Sequence, residues 1–208
     1  MRDTPIQILY FEPSEVISTA IDSLIRAQTG YAVYHCWTVK EFEVNALKPA
    51  VDCLLIETDL VEDWAKKLVG KIRRGETEAD PFLPIFTIHS PVTQHELGLH
   101  AAAGVDTMFA KPHSVGTIFE HLKSIAGAQR YFVAHPDYVG PDRRHDVRPP
   151  DPRFVFQVPN RFLLRSATGA LDLEQVTGWT RAWQEVIATA PKARLAMLPK
   201  GPVKPVDA

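Results

Sequence analysis

Short apolar runs alternate with segments of helical periodicity through the first 128 residues of the chain. Each run has four to eight residues and few charges, which is typical of strands that are buried on both faces of a parallel sheet. The runs predict five strands: Ile6–Phe11, Tyr31–Trp37, Val51–Ile56, Leu83–Ile88 and Val105–Ala110.

The segments between these runs predict five helices. Ser14, Thr38 and Ser114 each precede an apolar-periodic stretch, as helix N-caps do. Strands that alternate with helices of this length indicate a five-stranded parallel sheet with helices on both faces, the doubly wound α/β arrangement. The predicted helices cover residues 14–28, 38–47, 64–74, 92–103 and 115–128.

The character of the chain changes after residue 128. Ten of the 17 prolines lie between positions 136 and 205. We therefore interpret residues 129–170 as a proline-rich linker or a segment that wraps on the surface, and residues 191–208 as a disordered tail. Residues 171–190 keep an apolar stripe with Trp179 and Trp183, which predicts one helix.

Composition limits the possible functions. The formal charge is -2 at pH 7, so bulk binding to nucleic acid is not expected. No apolar stretch approaches the roughly 20 residues that span a bilayer, and no signal-peptide pattern precedes the first strand, which favours a cytoplasmic protein. Cys36 and Cys53 lie inside apolar strands without metal-ligand spacing, so we expect buried, unpaired thiols.

Charged residues stand where three of the predicted strands end. Glu12 follows the first strand, Glu57 follows the third, and Lys111-Pro112 follows the fifth. Ligands of open α/β sheets bind outside the carboxyl ends of the strands, so these side chains mark the candidate site.

Residues 1–128 resemble the receiver domain of bacterial two-component response regulators. The resemblance covers the whole five-unit alternation, and its most specific part is Gly104–Pro112, which looks like the family's last strand with its Lys-Pro ending. It implies a CheY-like, flavodoxin-like fold and a cis Lys111–Pro112 bond. Glu12 then falls at an acid that holds Mg²⁺, and Glu57 falls at the phosphoacceptor aspartate.

Several positions depart from that pattern. Pro13 stands for the second metal-binding acid, and Glu57 stands for the aspartate. His89 stands for the small hydroxyl residue that ends the fourth strand, with Ser90 next to it, and Met108 stands for the aromatic switch residue. Because Mg²⁺ needs near-octahedral oxygen geometry, we expect its binding to be weak at this degenerate pocket.

Three interpretations of Glu57 stay open. It imitates the phosphorylated state permanently, forms a structural ion pair with Lys111, or still accepts a phosphoryl group. A bulky imidazole of His89 near Glu57 would fill the space that a phosphoryl group needs, which favours the ion pair. His95, His100 and His121 are spaced too irregularly to predict a zinc site.

The leading hypothesis is a non-catalytic, atypical receiver that signals by protein–protein contact, with no conventional aspartyl phosphorylation. The resemblance implies a histidine kinase or a downstream regulator as partner, and a possible homodimer through residues 92–128. The alternatives are a phosphorylatable response regulator and a regulator with a nucleic-acid-binding tail. The tail offers one helix and few arginines, which does not favour a nucleic-acid-binding tail.

Two further features are candidates for interaction. The stretch Tyr138-Val139-Gly140-Pro141-Asp142-Arg143-Arg144 resembles a Y-x-G-P-D-R-R segment that follows some alphaproteobacterial receiver-like domains. It predicts either a turn that ties the tail to the domain or a docking element that uses Arg143 and Arg144. Trp179 and Trp183 predict either a docking anchor or packing against the chain's own domain.

Overall fold

The computed structural model describes residues 5–27, 30–48, 50–143, 153–163, 173–190 and 204–205. A parallel five-stranded sheet in the order β2-β1-β3-β4-β5 forms the first part of the molecule, as the sequence predicts. Its strands are β1 Ile6–Phe11, β2 Tyr31–Cys36, β3 Cys53–Glu57, β4 Ile85–His89 and β5 Thr107–Ala110.

Four helices connect these strands, a fifth follows β5, and together they cover both faces of the sheet. Ser14, Thr38 and Ser114 are N-caps whose side chains accept hydrogen bonds from backbone N–H groups of the first turn, as expected. Thr93 and Glu96 form a reciprocal capping box at the fourth helix. The helices are α1 Glu15–Arg26, α2 Val39–Ala46, α3 Glu62–Arg73, α4 Gln94–Ala103 and α5 Val115–Gly127.

Successive side chains of a strand point to opposite faces, so β3 supplies two separate cores. Leu54 and Ile56 pack in the core that includes residues of α2 and α3. Cys53 and Leu55 pack in the core that includes residues of α1 and α5. Cys36 and Cys53 are buried and unpaired, as predicted.

Residues 130–158 differ from the sequence-based interpretation of a linker or wrapping segment. They contain three antiparallel strands, β6 Arg130–His135, β7 Tyr138–Pro141 and β8 Val155–Val158, and β8 also pairs with β9 Lys204–Pro205. The prolines lie at the ends of these strands or between them, where they leave the ladder intact. The sheet has the order β7-β6-β8-β9.

The predicted C-terminal helix is present as α6, Leu173–Thr189. It packs on the second sheet in a third core, which includes Phe132, Phe156 and Trp183. Phe82, from the segment before β4, lies in the same core, so the extension and the first 128 residues share a hydrophobic cluster. Apart from 204–205, the tail predicted to be disordered, 191–208, lies outside the described residues.

Two buried ionic clusters join the extension to the first sheet. Asp106 accepts from Arg73 at 2.6 Å and also pairs with Arg130 at the start of β6. Arg161 pairs with Asp52 at 3.2 Å and with Asp80 at 3.1 Å. Asp52 precedes β3 and Asp106 precedes β5, so the extension binds at the amino ends of the strands and leaves the carboxyl ends open.

Among the helices of the described residues, none combines the length and the apolar character that a bilayer crossing requires.

Candidate functional site

The carboxyl ends of β1, β3 and β5 bring together the residues that the sequence singled out. Lys111 Nζ lies 2.5 Å from Glu57 Oε2 in an ion pair. Phe11 pairs with Ile56 in the parallel register, so Glu12 and Glu57 follow at the same level and on the same face. Glu57 is 4% exposed and Lys111 is 34% exposed, so the pair has one buried and one accessible partner.

The carboxylate of Glu12 is held by its own strand and the following loop. Tyr10 donates its hydroxyl to Glu12 Oε2 at 3.2 Å, and the Ser14 N–H donates to Oε1 at 2.8 Å. Burial raises the pKa of the Tyr10 hydroxyl, and the charges of Glu12 and Glu57 raise it further. The negative charges of both carboxylates therefore raise the pKa of the same buried hydroxyl group.

Burial also acts on Glu57 itself. It raises the pKa of this carboxyl, and Lys111 together with the Asp59 N–H offsets only part of the effect. The Asp59 N–H donates to Glu57 Oε1 at 2.9 Å. Both oxygens of Glu57 thus have a positive or N–H neighbour, as in the fixed ion pair that was one of the three sequence-based interpretations.

Asp59 is a site residue that the sequence analysis missed. Ser90 donates its N–H to Asp59 Oδ1 at 2.7 Å and its hydroxyl to Oδ2 at 2.6 Å. Lys111 Nζ donates to Oδ2 at 2.9 Å. Burial alone would raise the pKa of Asp59, but the bonds from Ser90 and the ammonium of Lys111 outweigh it and lower the pKa to about 2.

His89 does not fill the space beside Glu57, and this expectation was wrong. Glu57 is in register with Ile88, so the side chain of His89 points to the opposite face of the sheet. Its Nδ1 lies 2.8 Å from the Ser90 carbonyl, and its ring stacks on His100 of α4 at a centroid distance of 6.1 Å. The hydroxyl group that reaches the site is that of Ser90, one residue later.

His100 is the buried partner of His89 and contacts the neighbouring helix. Its Nε2 lies 3.7 Å from Glu62 Oε1 in the first turn of α3. Burial lowers the pKa of His100, an effect that the charge of Glu62 opposes and those of His89 and Lys66 reinforce. The stacked pair of His89 and His100 therefore connects the end of β4 to α3 and α4.

The donor set does not fit a tight Mg²⁺ site. Glu12 and Glu57 each have both oxygens engaged, and Pro13 is exposed and offers no carboxylate. Within the described residues, no group of three or more His, Cys, Asp or Glu side chains is arranged to hold a metal ion. Mg²⁺ prefers several oxygens and waters in octahedral geometry, which these engaged carboxylates do not present.

Two other features that the sequence singled out lie in β5 and directly after it. The Lys111–Pro112 bond is cis, as the resemblance implies. Met108, which the resemblance places at the family's switch position, is half-buried and packs against the core that includes residues of α2 and α3.

The interaction candidates of the extension lie elsewhere. Trp179 and Trp183 are 6% and 0% exposed in the third core, so they pack within the chain and do not form an exposed anchor. Arg143 is exposed, and Arg144 lies outside the described residues.

The segment Tyr138–Pro141 is a strand and not a turn. Gly140 lies against the main chain of Gly104, where a Cβ atom would stand 2.9 Å from Gly104 Cα. The absence of a side chain allows this close approach, and β7 contacts both α3 and α4.

The fold is similar to those of solved receiver domains. Three structures align with 58% of this chain at a TM-score of 0.50. They are chemotaxis protein CheY4 of Vibrio cholerae (17% identity, 98% of that chain), a CheY-like receiver domain protein of Methanospirillum hungatei (16%, 93%) and the receiver domain of sensor histidine kinase PA1611 of Pseudomonas aeruginosa (21%, 97%), which has magnesium coordinated in its active site cleft.

Identities this low establish the fold alone. No family model and no curated protein matches the chain. The first part of the chain therefore has the fold of response regulator receiver domains, and its function rests on the site.

Proposed function

We propose that this protein is an atypical receiver module that signals by protein–protein contact and does not use conventional aspartyl phosphorylation. One observation carries the proposal: the carboxylate at the acceptor position, Glu57, is buried and paired with Lys111. Oε1 accepts from the Asp59 N–H and Oε2 faces the ammonium of Lys111, so attack on phosphorus would have to displace this pairing.

The engaged carboxylates also support weak binding of Mg²⁺. A phosphoryl transfer of this kind needs a cation to neutralise developing charge between the acids and the phosphoryl oxygens. Glu12 is bound to Tyr10 and Ser14, and Pro13 supplies no ligand. We propose no enzymatic activity and no resident cofactor.

A specific observation favours the runner-up, a phosphorylatable response regulator. Glu12, Glu57 and Lys111 do converge at one end of the sheet, and the hydroxyl of Ser90 is within reach of Lys111 through Asp59. The receiver domain of PA1611, which has a similar fold, holds magnesium in its cleft. The two proposals therefore differ on whether Glu57 reacts.

The proposed partner is a protein, such as a histidine kinase or a downstream regulator, in a bacterial signalling pathway. Residues 92–128 are the proposed surface for a homodimer. The extension reduces this surface, because Val139 and Gly140 of β7 cover Gly104 at the end of α4. The exposed side of α5, with Glu120, His121 and Lys123, is left for such contacts.

Intact-mass spectrometry tests the proposal. The native chain and the variants Glu57→Gln and Glu57→Asp are incubated with Mg²⁺ and acetyl phosphate, and the gain of one phosphoryl group is measured. We expect no gain in the native protein. A gain in Glu57→Asp alone would show that the pocket survives and that only the acceptor is inactive.

A gain in the native chain that Glu57→Gln abolishes would establish the runner-up and overturn the proposal. A gain that persists in Glu57→Gln would place the reactive group elsewhere and would leave Glu57 as the structural partner of Lys111. Size-exclusion chromatography with light scattering on the same samples measures whether the chain self-associates.

A further inference from the structure

Three hydrogen-bond donors from the ends of two strands converge on one carboxylate. The N–H and the hydroxyl of Ser90, directly after β4, bond to Asp59 at 2.7 and 2.6 Å, and Lys111 Nζ, directly after β5, bonds to it at 2.9 Å. Donors that converge on one point and include an ammonium form a preorganised site for an anion.

The main chain at Ser90 and Lys111 is fixed without help from Asp59, and Glu57 Oε2 holds Lys111 Nζ at 2.5 Å. The Lys111 N–H donates to the His89 carbonyl at 2.8 Å, which continues the β4–β5 ladder to the site. His89 Nδ1 lies 2.8 Å from the Ser90 carbonyl, which fixes the adjoining peptide. The Ser90 N–H and the ammonium of Lys111 should therefore keep their positions when the carboxylate is removed, and the Ser90 hydroxyl is free to rotate towards an anion.

We infer that Asp59 is a built-in occupant of an oxyanion site formed by Ser90 and Lys111, and that it keeps small tetrahedral oxyanions out of the native protein. A phosphate ion can offer two oxygens to the same three donors. The Asp59 side chain is 28% exposed, so the position opens to solvent and an ion could reach it.

This inference concerns the same strand ends as the proposed function and rests on it in one respect: an occupied site is closed to phosphoryl groups. Its chemistry is otherwise independent, because it involves only binding and neither Glu57 nor Mg²⁺ has to react. The strongly lowered pKa of Asp59 agrees with a carboxylate that is held in its ionised form.

Removal of the carboxylate tests the inference. Inorganic phosphate is titrated at pH 7 and constant ionic strength, with EDTA and no phosphodonor, into the native chain and Asp59→Ala. The readout is the ¹H–¹⁵N chemical shift of the Ser90 amide. We expect Asp59→Ala to bind phosphate at least tenfold more tightly than the native protein and to shift the Ser90 amide.

Two further variants separate a site from a general effect of charge. Asp63→Ala removes a carboxylate whose side chain is 87% exposed in the first turn of α3, and it should bind phosphate as the native chain does. Asp59→Ala combined with Lys111→Met should lose the gained affinity. An equal gain in Asp63→Ala, or no gain in a folded Asp59→Ala, would refute the inference.

The native protein gives an additional test if Asp59→Ala does not fold. The Asp59 carboxyl is titrated by ¹³C NMR, and a pKa near 3.8 in place of about 2 would show that it is not held by the donors. Binding of phosphate to the native protein, with a shift of the Ser90 amide, would also show that Asp59 does not occupy the site. Because the phosphate titration contains no phosphodonor, its failure would refute the inference and leave the mass experiment on Glu57 unaffected.

Discussion

The indole N–H of Trp183 on α6 donates a 2.7 Å hydrogen bond to the main-chain carbonyl of Arg73 at the end of α3. The two residues are separated by 110 positions in the chain. The guanidinium of Arg73 is fully buried and bonds to the carbonyls of Gly104, Pro81 and Leu83. Trp183 therefore belongs to a polar network that centres on Arg73 inside the receiver-like part. The extension is an integral part of the molecule.

Substitution of Trp183 should destabilise the whole protein. Trp183→Phe leaves the Arg73 carbonyl without this donor, which costs about 1–3 kcal/mol, and Trp183→Ala adds a cavity for a total of about 3–5 kcal/mol. Urea unfolding followed by circular dichroism measures both values. Glu185→Gln, at an exposed position of α6, is the control. A free energy of unfolding within 0.5 kcal/mol of native for Trp183→Ala, roughly the scatter of surface substitutions, would contradict this account.

A chain that ends at residue 128 should not fold cooperatively. It lacks Arg130 and Arg161, so it leaves the carboxylates of Asp52, Asp80 and Asp106 without these partners, and it exposes Phe82. Removal of one partner of a buried ion pair costs about 3–5 kcal/mol, and an ordinary domain has only about 5–15 kcal/mol of stability.

Urea unfolding of residues 1–128 and 1–190 compares the two chains directly. We expect a cooperative transition only for 1–190, which keeps β6, β7, β8 and α6. A transition of 1–128 at the same urea midpoint would show that the receiver-like part is stable alone.

The pair of Glu57 and Lys111 should show energetic coupling. Lys111→Met leaves a buried carboxylate without its ammonium, which we expect to cost about 1–3 kcal/mol. Glu57→Gln removes the charge, so Lys111→Met should cost less in that background. A double-mutant cycle in urea measures the coupling, with Lys123→Met on the exposed side of α5 as a control.

The same pair predicts a dependence on pH. Burial raises the folded-state pKa of Glu57, so the folded state binds its proton more tightly than the unfolded state, and the contribution of Glu57 to stability falls as pH rises above 4.5. Loss of Lys111 should strengthen this effect. The loss of unfolding free energy caused by Lys111→Met should therefore be larger at pH 8 than at pH 5. An equal loss at both pH values would show that Lys111 does not act on the ionisation of Glu57.

His100 should make the protein less stable in acid. Burial lowers its folded-state pKa below 6.5, so the unfolded state binds the proton first and stability falls as pH falls through 6.5 towards the folded pKa. The slope for one proton is at most about 1.4 kcal/mol per pH unit. The charges that face His100 are those of Glu62 and Lys66 on α3 and Glu96 and His89 on α4 and β4.

Thermal unfolding from pH 7.5 to 5 measures this slope. We expect His100→Gln to have a shallower decline than the native protein. His95→Gln, at an exposed position of the same helix, is the control. An identical slope in His100→Gln would assign the acid sensitivity to another group.

Features that depend on local pattern could be predicted from the amino-acid sequence. Apolar runs, the caps Ser14, Thr38 and Ser114, and the Lys-Pro ending of β5 predicted the parallel sheet and brought Glu12, Glu57 and Lys111 to one edge. Each of these signals lies within a few residues, and the carboxyl ends of parallel strands share an edge by construction.

Which side chains meet at that edge depends on contacts between residues that are far apart in the chain. Asp59 contacts Ser90 and Lys111 across 31 and 52 residues, and no local pattern encodes that contact. His89 and Ser90 differ by one position, but side chains alternate along a strand, so a shift of one residue exchanges an imidazole for a hydroxyl at the site. The second sheet was hidden for a related reason: its antiparallel partners are separated by prolines, and its core exists only when Phe82 and Trp183 come together.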